Sequence, residues 1–418
     1  QRFTETQGQP RYFYPQANSQ EIPVKIFLKS TVLFALFALM TCGGNSQDTL
    51  GPGDSGNPPD TSGGTPSDNT QPSGSINRAP QDGGNFLSEF PTDRILSGGV
   101  PPDGIPALTD PPFVDLTSSE AAYLSDEDLV LGVVLNGVAK AYPHNMGWWH
   151  EIINDVVGEQ PIVVSFCPLT GTGLIFNGQG SDQSRIHCGV SGLLFNNNLI
   201  MYDRRQQGIL YPQMIHIPVE SGTEELQLLP VIETTWRYWK QLYPDSRVIS
   251  ANTGVYAPSR YQSYPYGNYR DPNTAPLFPS FPSLTDNPTA QIFPPKTLTL
   301  GIRFGETAKA YPFPTLGIET VINDVVAGNA ILVVYYHQEQ YAIPFDRAVD
   351  GQTLTFEKAL PRDTVYPFLL RDQETGSTWN LKGEAIAGPL QNKTLEQLPA
   401  HNAFWFAWAT FWQNTGIY

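Results

Sequence analysis

The chain repeats itself. Ala139–Pro143 (Ala-Lys-Ala-Tyr-Pro) returns as Ala308–Pro312, and Ile153–Val157 (Ile-Asn-Asp-Val-Val) returns as Ile322–Val326, both displaced by 169 residues. The same displacement carries Leu129–Gly132 onto Leu298–Gly301, Asp203 onto Asp372, Pro230 onto Pro399, Trp236 onto Trp405 and Trp239 onto Trp408. Chance matches do not hold one register over such a distance, so the fold is expected to contain one unit twice, in tandem and pseudo-symmetric. A shorter echo, Pro106–Asp110 against Pro282–Asp286, gives each copy its own leader. The copies are expected over 86–250 and 280–418. The Tyr/Pro-rich connector 251–279 carries Tyr261, Tyr264, Tyr266 and Tyr269, side chains large enough to pack.

Within a copy the period is mostly two. Asn136-Gly137 supplies the positive φ angles of a tight turn and sits between two apolar runs, so 129–142 predicts a β-hairpin. Ile152–Val157 and Ile162–Phe166 read as strands, and a turn at Gly158–Gln160 would make a second hairpin between Trp149–Val157 and Pro161–Phe166. Further strands are predicted over 174–176 and 199–202, separated by Gly and Pro. Pro230 to Leu242 differs, because Val231, Thr235, Trp239 and Leu242 recur at helical spacing before Pro244. Pro399 to Trp412 repeats it. The fold class is therefore α+β: mainly antiparallel β, with one late amphipathic helix per copy, its tryptophans read as core.

Residues 24–44 have the layout of an export signal. Lys25 and Lys29 precede an apolar stretch from Thr31 to Met40, and Cys42 follows with two glycines behind it. The apolar run is well short of the roughly 20 residues a spanning helix needs. The layout resembles a bacterial lipoprotein signal, in which Cys42 becomes the acylated first residue, against a conventional signal cut nearby. Residues 1–23 read as an upstream extension. From 43 to 85 scarcely an apolar side chain occurs, so this stretch is expected to be a disordered tether between a membrane and the folded part. With 24 basic against 40 acidic residues the net charge is −16, which leaves nothing to neutralise a phosphate backbone and argues against a nucleic-acid partner.

The repeat also supplies an internal control. Residues kept in both copies serve the shared fold, as Asn154, Asp155 and Asp203 do, whereas reactive groups found in one copy are candidates for function. His144, Trp148, Trp149, His150, Glu151 and Cys167 align with Phe313, Gly317, Ile318, Glu319, Thr320 and Tyr336, so the reactive set belongs to copy one. The second hairpin brings residues near 150 and 151 opposite 167, with Cβ atoms about 5 Å apart. His150 or Glu151 then neighbours Cys167. Three readings of the thiols stay open: a Cys167–Cys188 disulfide, a soft-metal (copper or zinc) or redox site using Cys167 with His150 or His187, and unpaired buried thiols. His216, His337 and His401 stand alone and read as surface or satisfied core histidines.

Several segments together resemble the DUF3179 family of exported bacterial and archaeal proteins. They are Gly104–Pro112, the Ala-Tyr-Pro element, Trp149–Asp155, Cys167-Pro168-Leu169, Gly189–Asn196 and Met201-Tyr202-Asp203-Arg204. The resemblance covers most of 104–418, and the family has no established activity. Its members often read Cys-Pro-Leu-Cys-Gly where this chain has Cys-Pro-Leu-Thr-Gly, and usually carry an aromatic where Cys188 stands. The leading expectation is a lipid-anchored, extracytoplasmic binding protein with a small-molecule or metal site in copy one. Cys167, His150 and Glu151 lie at its centre, with His144, Trp149, Tyr202 and Arg204 as ligand-binding side chains. The alternatives are a redox or hydrolytic enzyme with Cys167 as nucleophile and His150 as base, and a module that docks another protein.

Overall fold

The computed structural model describes residues 90–205, 209–219, 224–360 and 365–418. The signal segment, Cys42 and the expected tether lie outside these residues. Among the described residues the protein is mainly β, with three short α-helices, and no helix is long and apolar enough to cross a membrane.

In the first half, β1 (Leu129–Leu135) and β2 (Val138–Pro143) form the predicted hairpin. Asn136 and Gly137 sit at φ of 50° and 77°, the two left-handed positions that such a two-residue turn needs. Helix α1 (His144–His150) follows, and then the antiparallel meander of β3 (Ile152–Val157), β4 (Gln160–Cys167) and β5 (Thr172–Asn177). β6 (Cys188–Phe195) and β7 (Asn198–Asp203) make a third hairpin. The chain then returns to the first sheet. There β8 (Ile232–Thr235) pairs antiparallel to β1, helix α2 (Trp236–Leu242) crosses, and β9 (Arg247–Ile249) pairs parallel to β2.

The second half runs through the same pairings. β10 (Leu298–Phe304) and β11 (Thr307–Pro312) form a hairpin, and β12 (Glu319–Val326), β13 (Asn329–Tyr336) and β14 (Tyr341–Asp346) form a meander. After the hairpin of β15 (Phe356–Ala359) and β16 (Leu369–Asp372), β17 (His401–Phe404) pairs antiparallel to β10. Helix α3 (Trp405–Phe411) follows, and β18 (Gly416–Ile417) pairs parallel to β11. Six elements, β1, β2, β4, β5, β8 and α2, have bounds displaced by 169 residues from their counterparts in the second half.

The equivalences reach individual contacts. A Cβ on Gly132 would lie 1.9 Å from the Trp239 ring and one on Gly301 would lie 2.0 Å from Trp408, so each strand keeps a glycine where a tryptophan presses on its backbone. Trp239 donates its ring N–H to Ser246 and Trp408 donates to Thr415, each at 2.9 Å. Asn154 accepts from the Cys188 amide and donates to the Cys188 carbonyl, at 2.8 and 3.0 Å. Asn323 holds Phe356 in the same way, at 2.7 Å for both bonds.

Two expectations about elements need correction. The late helices are shorter than the spacing predicted. Ile232–Thr235 and His401–Phe404 are strands, because in the first of them Ile232, Thr234 and Thr235 are β-branched and have a free edge of β1 to pair with. In the other, the strand begins at Ile152 as read, but the longer hairpin arm does not: Trp149 and His150 belong to α1, and the chain reaches β3 only after Glu151, whose backbone turns through φ 55°. The turn between β3 and β4 is at Gly158-Glu159, both with positive φ.

Each late helix lies on the sheet of its own half and also enters a core shared with the other half. The Trp405, Phe406, Trp408 and Phe411 side chains of α3 pack in one core with Val163, Leu174, Phe195 and Met201 of the first half. Trp236, Tyr238, Trp239 and Leu242 of α2 pack in one core with Val334, Ile343, Leu370 and Trp379 of the second, alongside Val130 and Ala141 of their own half. A hydrogen bond ties each crossing: the Thr234 hydroxyl donates to the Glu339 carbonyl and the Phe404 amide donates to the Thr170 carbonyl, both at 2.8 Å. The connector packs as well, with Tyr261 and Tyr269 buried.

Candidate functional site

α1 and the end of β4 place the residues singled out in copy one. Register runs Ile152 against Ser165, and the Phe166 amide donates to the Glu151 carbonyl at 2.7 Å, so Glu151 enters the meander just where Cys167 leaves it. The Glu151 carboxyl is buried, and desolvation pushes it up to about 8. Its charge acts in turn on Cys167 and on Tyr266 from the connector. His150 is held elsewhere. Its Nδ1 lies 2.6 Å from the Pro106 carbonyl and its Nε2 lies 2.8 Å from the Tyr261 hydroxyl, and burial lowers it to about 4. With both ring nitrogens engaged, His150 is neither a base for Cys167 nor free to bind a metal.

The remaining members scatter. His144 is buried against Phe166, with Nε2 3.5 Å from Glu233. Burial lowers the imidazole to about 3 and raises the Glu233 carboxyl to about 8. Trp149 donates to the Ser263 carbonyl at 3.2 Å beneath the Arg260 guanidinium. Tyr202 and Arg204 both bond Asp103 at the surface, the latter at 2.6 Å. The cavity beside His144 and Glu151 measures about 10 Å³, room for one water at most.

Cys167 and Cys188 are both free, so the expected disulfide is corrected: each is a buried core thiol. Desolvation pushes Cys167 up to about 11 and Cys188 up to about 12, the reverse of an activated nucleophile. The metal set of Cys167, His150 and His187 is corrected too, since among the described residues no three His, Cys, Asp or Glu side chains converge on a point that could hold an ion.

A larger space opens at the seam between the halves. It is a cleft of about 300 Å³ lined by the 214–216 and 225–228 segments of the first half and by β10, the approach to β17, and α3 of the second. Arg303 from β10 lies over the Trp412 ring at 4.6 Å and donates to His216 Nε2 at 2.9 Å. A guanidinium only donates, so His216 Nε2 accepts and the ring proton stands on Nδ1. That Nδ1 is buried without a hydrogen-bond partner, as are His401 Nε2 and Trp412 Nε1. Burial first, and Arg303 after it, depress both imidazoles, His401 to about 3 and His216 well below its ordinary value, so they are neutral. Arg303 is lowered by burial to about 10 and keeps its charge at neutral pH.

The sequence pattern of the family described as "Protein of unknown function (DUF3179)" matches residues 102–415. The chain belongs to the DUF3179 family. No curated protein and no solved structure matches it. The DUF3179 match includes both the Glu151 neighbourhood and every residue of the seam cleft, so both are features of the family's own segment.

His216 and His401, read from sequence as isolated, are brought to one cleft by the fold. A signal for part of this was present, because His401, Arg303 and Trp412 stand where the first half has Ile232, Val134 and Tyr243. These three are among the reactive groups peculiar to the second half, as His337, set against Pro168, also is. Nothing in sequence marks His216, whose place depends on the loop after Pro212 and on a left-handed backbone at φ 52°.

Proposed function

We propose that this DUF3179 member is an exported, lipid-anchored binding protein that holds a small organic molecule in the cleft between its two halves. The observation that carries the reading is the set of three unpartnered, buried ring nitrogens on His216, His401 and Trp412 around one charged arginine. Leaving such groups unbonded costs about 1–3 kcal/mol each, and a ligand that bonds them recovers it. A volume of about 300 Å³ suits a small ligand and stands at the lower end of ligand pockets. The halves are read as a doubled ancestral unit, a reading supported by six elements displaced by a common 169 residues. The anchor is Cys42, on the layout of the segment before it. The test is a thermal-shift and tryptophan-fluorescence screen of small organic molecules, repeated on Ala400→Trp, which fills the cleft. Compounds that stabilise the wild type and lose their effect in the variant are expected. If no compound binds, or if those that do ignore the filled cleft, the reading is wrong.

A second reading keeps chemistry in the first half, with Glu151 as a buried acid that exchanges its proton near neutral pH beside Cys167. It is favoured by the raised Glu151 carboxyl. Loss of an activity in Glu151→Gln with the fold retained would establish it.

A further inference from the structure

We infer that the seam cleft selects a carboxylate-bearing molecule with a small flat apolar body, the acid group meeting Arg303, His216 and Trp412 and the body lying against Trp408 and Phe304. This rests on the reading of the cleft as a ligand site and adds the chemistry of the ligand.

The argument is a count of donors against acceptors. Trp412 Nε1 carries a proton and can only donate. His216 Nδ1 carries one because Nε2 accepts from Arg303. Both are buried and unpartnered, and both line the same cleft as the guanidinium that stands over the Trp412 ring. Two unmatched N–H donors beside a permanent cation call for a group that is all acceptor and negative, and hydrogen bonds to a charged acceptor are roughly twice as strong as neutral ones. His401 Nε2 completes the polar end and takes whichever role the second oxygen requires. The rest of the lining is largely apolar, with Phe304 half-buried and Trp408 and Leu398 buried. Among the described residues one acidic side chain, Glu225, lines the cleft. It is exposed at the rim, where it disfavours a second negative charge on the ligand and so favours a monoanion over a dianion. No phosphate loop is needed or present at these residues, and neutral imidazoles cannot supply the second positive charge a phosphate dianion would take.

The probes are benzoate, phenylacetate and 3-phenylpropionate, each beside its uncharged amide, titrated into the folded chain by calorimetry and by the Trp412 indole N–H resonance. At least one acid is expected to bind at least about tenfold more tightly than its amide and to shift that resonance. Arg303→Gln should abolish the preference. Trp412→Phe keeps the ring, removes one donor and should weaken the acid by several-fold while barely changing the amide, which guards against misfolding of the arginine variant. Amides that bind as well as acids, or a preference that survives both substitutions, overturn the inference while leaving the cleft a ligand site. Binding by neither class removes both.

Discussion

At Glu151 the chain spends a left-handed backbone conformation to put a carboxyl into the protein interior, and the consequence is measurable as pH-dependent stability. Folding raises this group from its ordinary 4.5 to about 8, so between those values the folded state holds a proton the unfolded chain gives up. The stability so contributed is complete below 4.5 and is lost as pH rises through 8. Glu233 acts in the same direction. The buried histidines act oppositely: His144, His150 and His401 are lowered from 6.5 to about 3, 4 and 3, so their contribution is complete above 6.5 and lost as pH falls. Between 4.5 and 6.5 the three histidines outweigh the two carboxyls, so stability should peak near 6.5 and decline toward 8. Glu151→Gln should flatten the decline, reducing the loss between pH 6.5 and 8 by on the order of 2 kcal/mol in urea titrations. A variant that declines as steeply as the wild type would show that Glu151 is not the titrating group. The thiols give a second check at this scale. In a Cys42→Ser background the native chain should not react with a thiol reagent until denaturant is added, when Cys167 and Cys188 both should, because both are buried and held protonated. Rapid labelling of Cys167 in the folded chain would restore the nucleophile reading.

Elements were legible where local chemistry alone decides them. Asn136-Gly137 and Gly158-Glu159 fix their hairpins through backbone conformation, and β1 to β5 lie within a few residues of their predicted bounds. Legibility failed where a distant partner decides. Val231, Thr235, Trp239 and Leu242 have helical spacing, yet residues up to Thr235 are claimed as a strand by β1, a partner about 100 residues earlier in sequence. The candidate site failed for the same reason. The pairing of Glu151 with the end of β4 could be read from register, but the direction of the His150 ring depends on Tyr261, more than 100 residues away. The glycines of β1 and β10 make a sharper test of element packing. A methyl on Gly301 would sit 2.0 Å from the buried Trp408 ring, closer than any real contact allows. Gly301→Ala should cost about 3 kcal/mol or more, and Gly132→Ala a similar amount against Trp239, whereas Gly328→Ala, in open space, should cost far less despite its positive φ. Equal destabilisation at all three would mean that the close approach of tryptophan to the strand is not what the glycines serve.

The cores that α2 and α3 share with the opposite half bear on whether either half is a domain in its own right. Each half has its own sheets, and the repeat in sequence suggests two independent units. Yet Trp405, Phe406, Trp408 and Phe411 bury essentially their whole side chains in a core they share with β4 to β7, and α2 does likewise against β13, β14 and β16. Burial of each such side chain contributes about 1.5–3 kcal/mol, so a first half without α3 forgoes several kcal/mol and exposes the face that received it. A domain holds a margin of only about 5–15 kcal/mol, which a loss of that size consumes. A fragment ending at residue 257 is accordingly expected to lack fixed tertiary structure, with near-ultraviolet circular dichroism lost and an apolar dye bound. The same should hold for 258–418. Mixed and refolded together, the two should recover the spectrum of the intact chain as a one-to-one complex, because every contact across the shared cores is then available again. The cleft lies on this seam, with His216 from one fragment and Arg303, His401 and Trp412 from the other. Acid binding should return only with the complex. A first fragment that unfolds cooperatively by itself near the midpoint of the whole protein would show that its core closes without α3, and the two halves would then have to be treated as separate domains that merely touch.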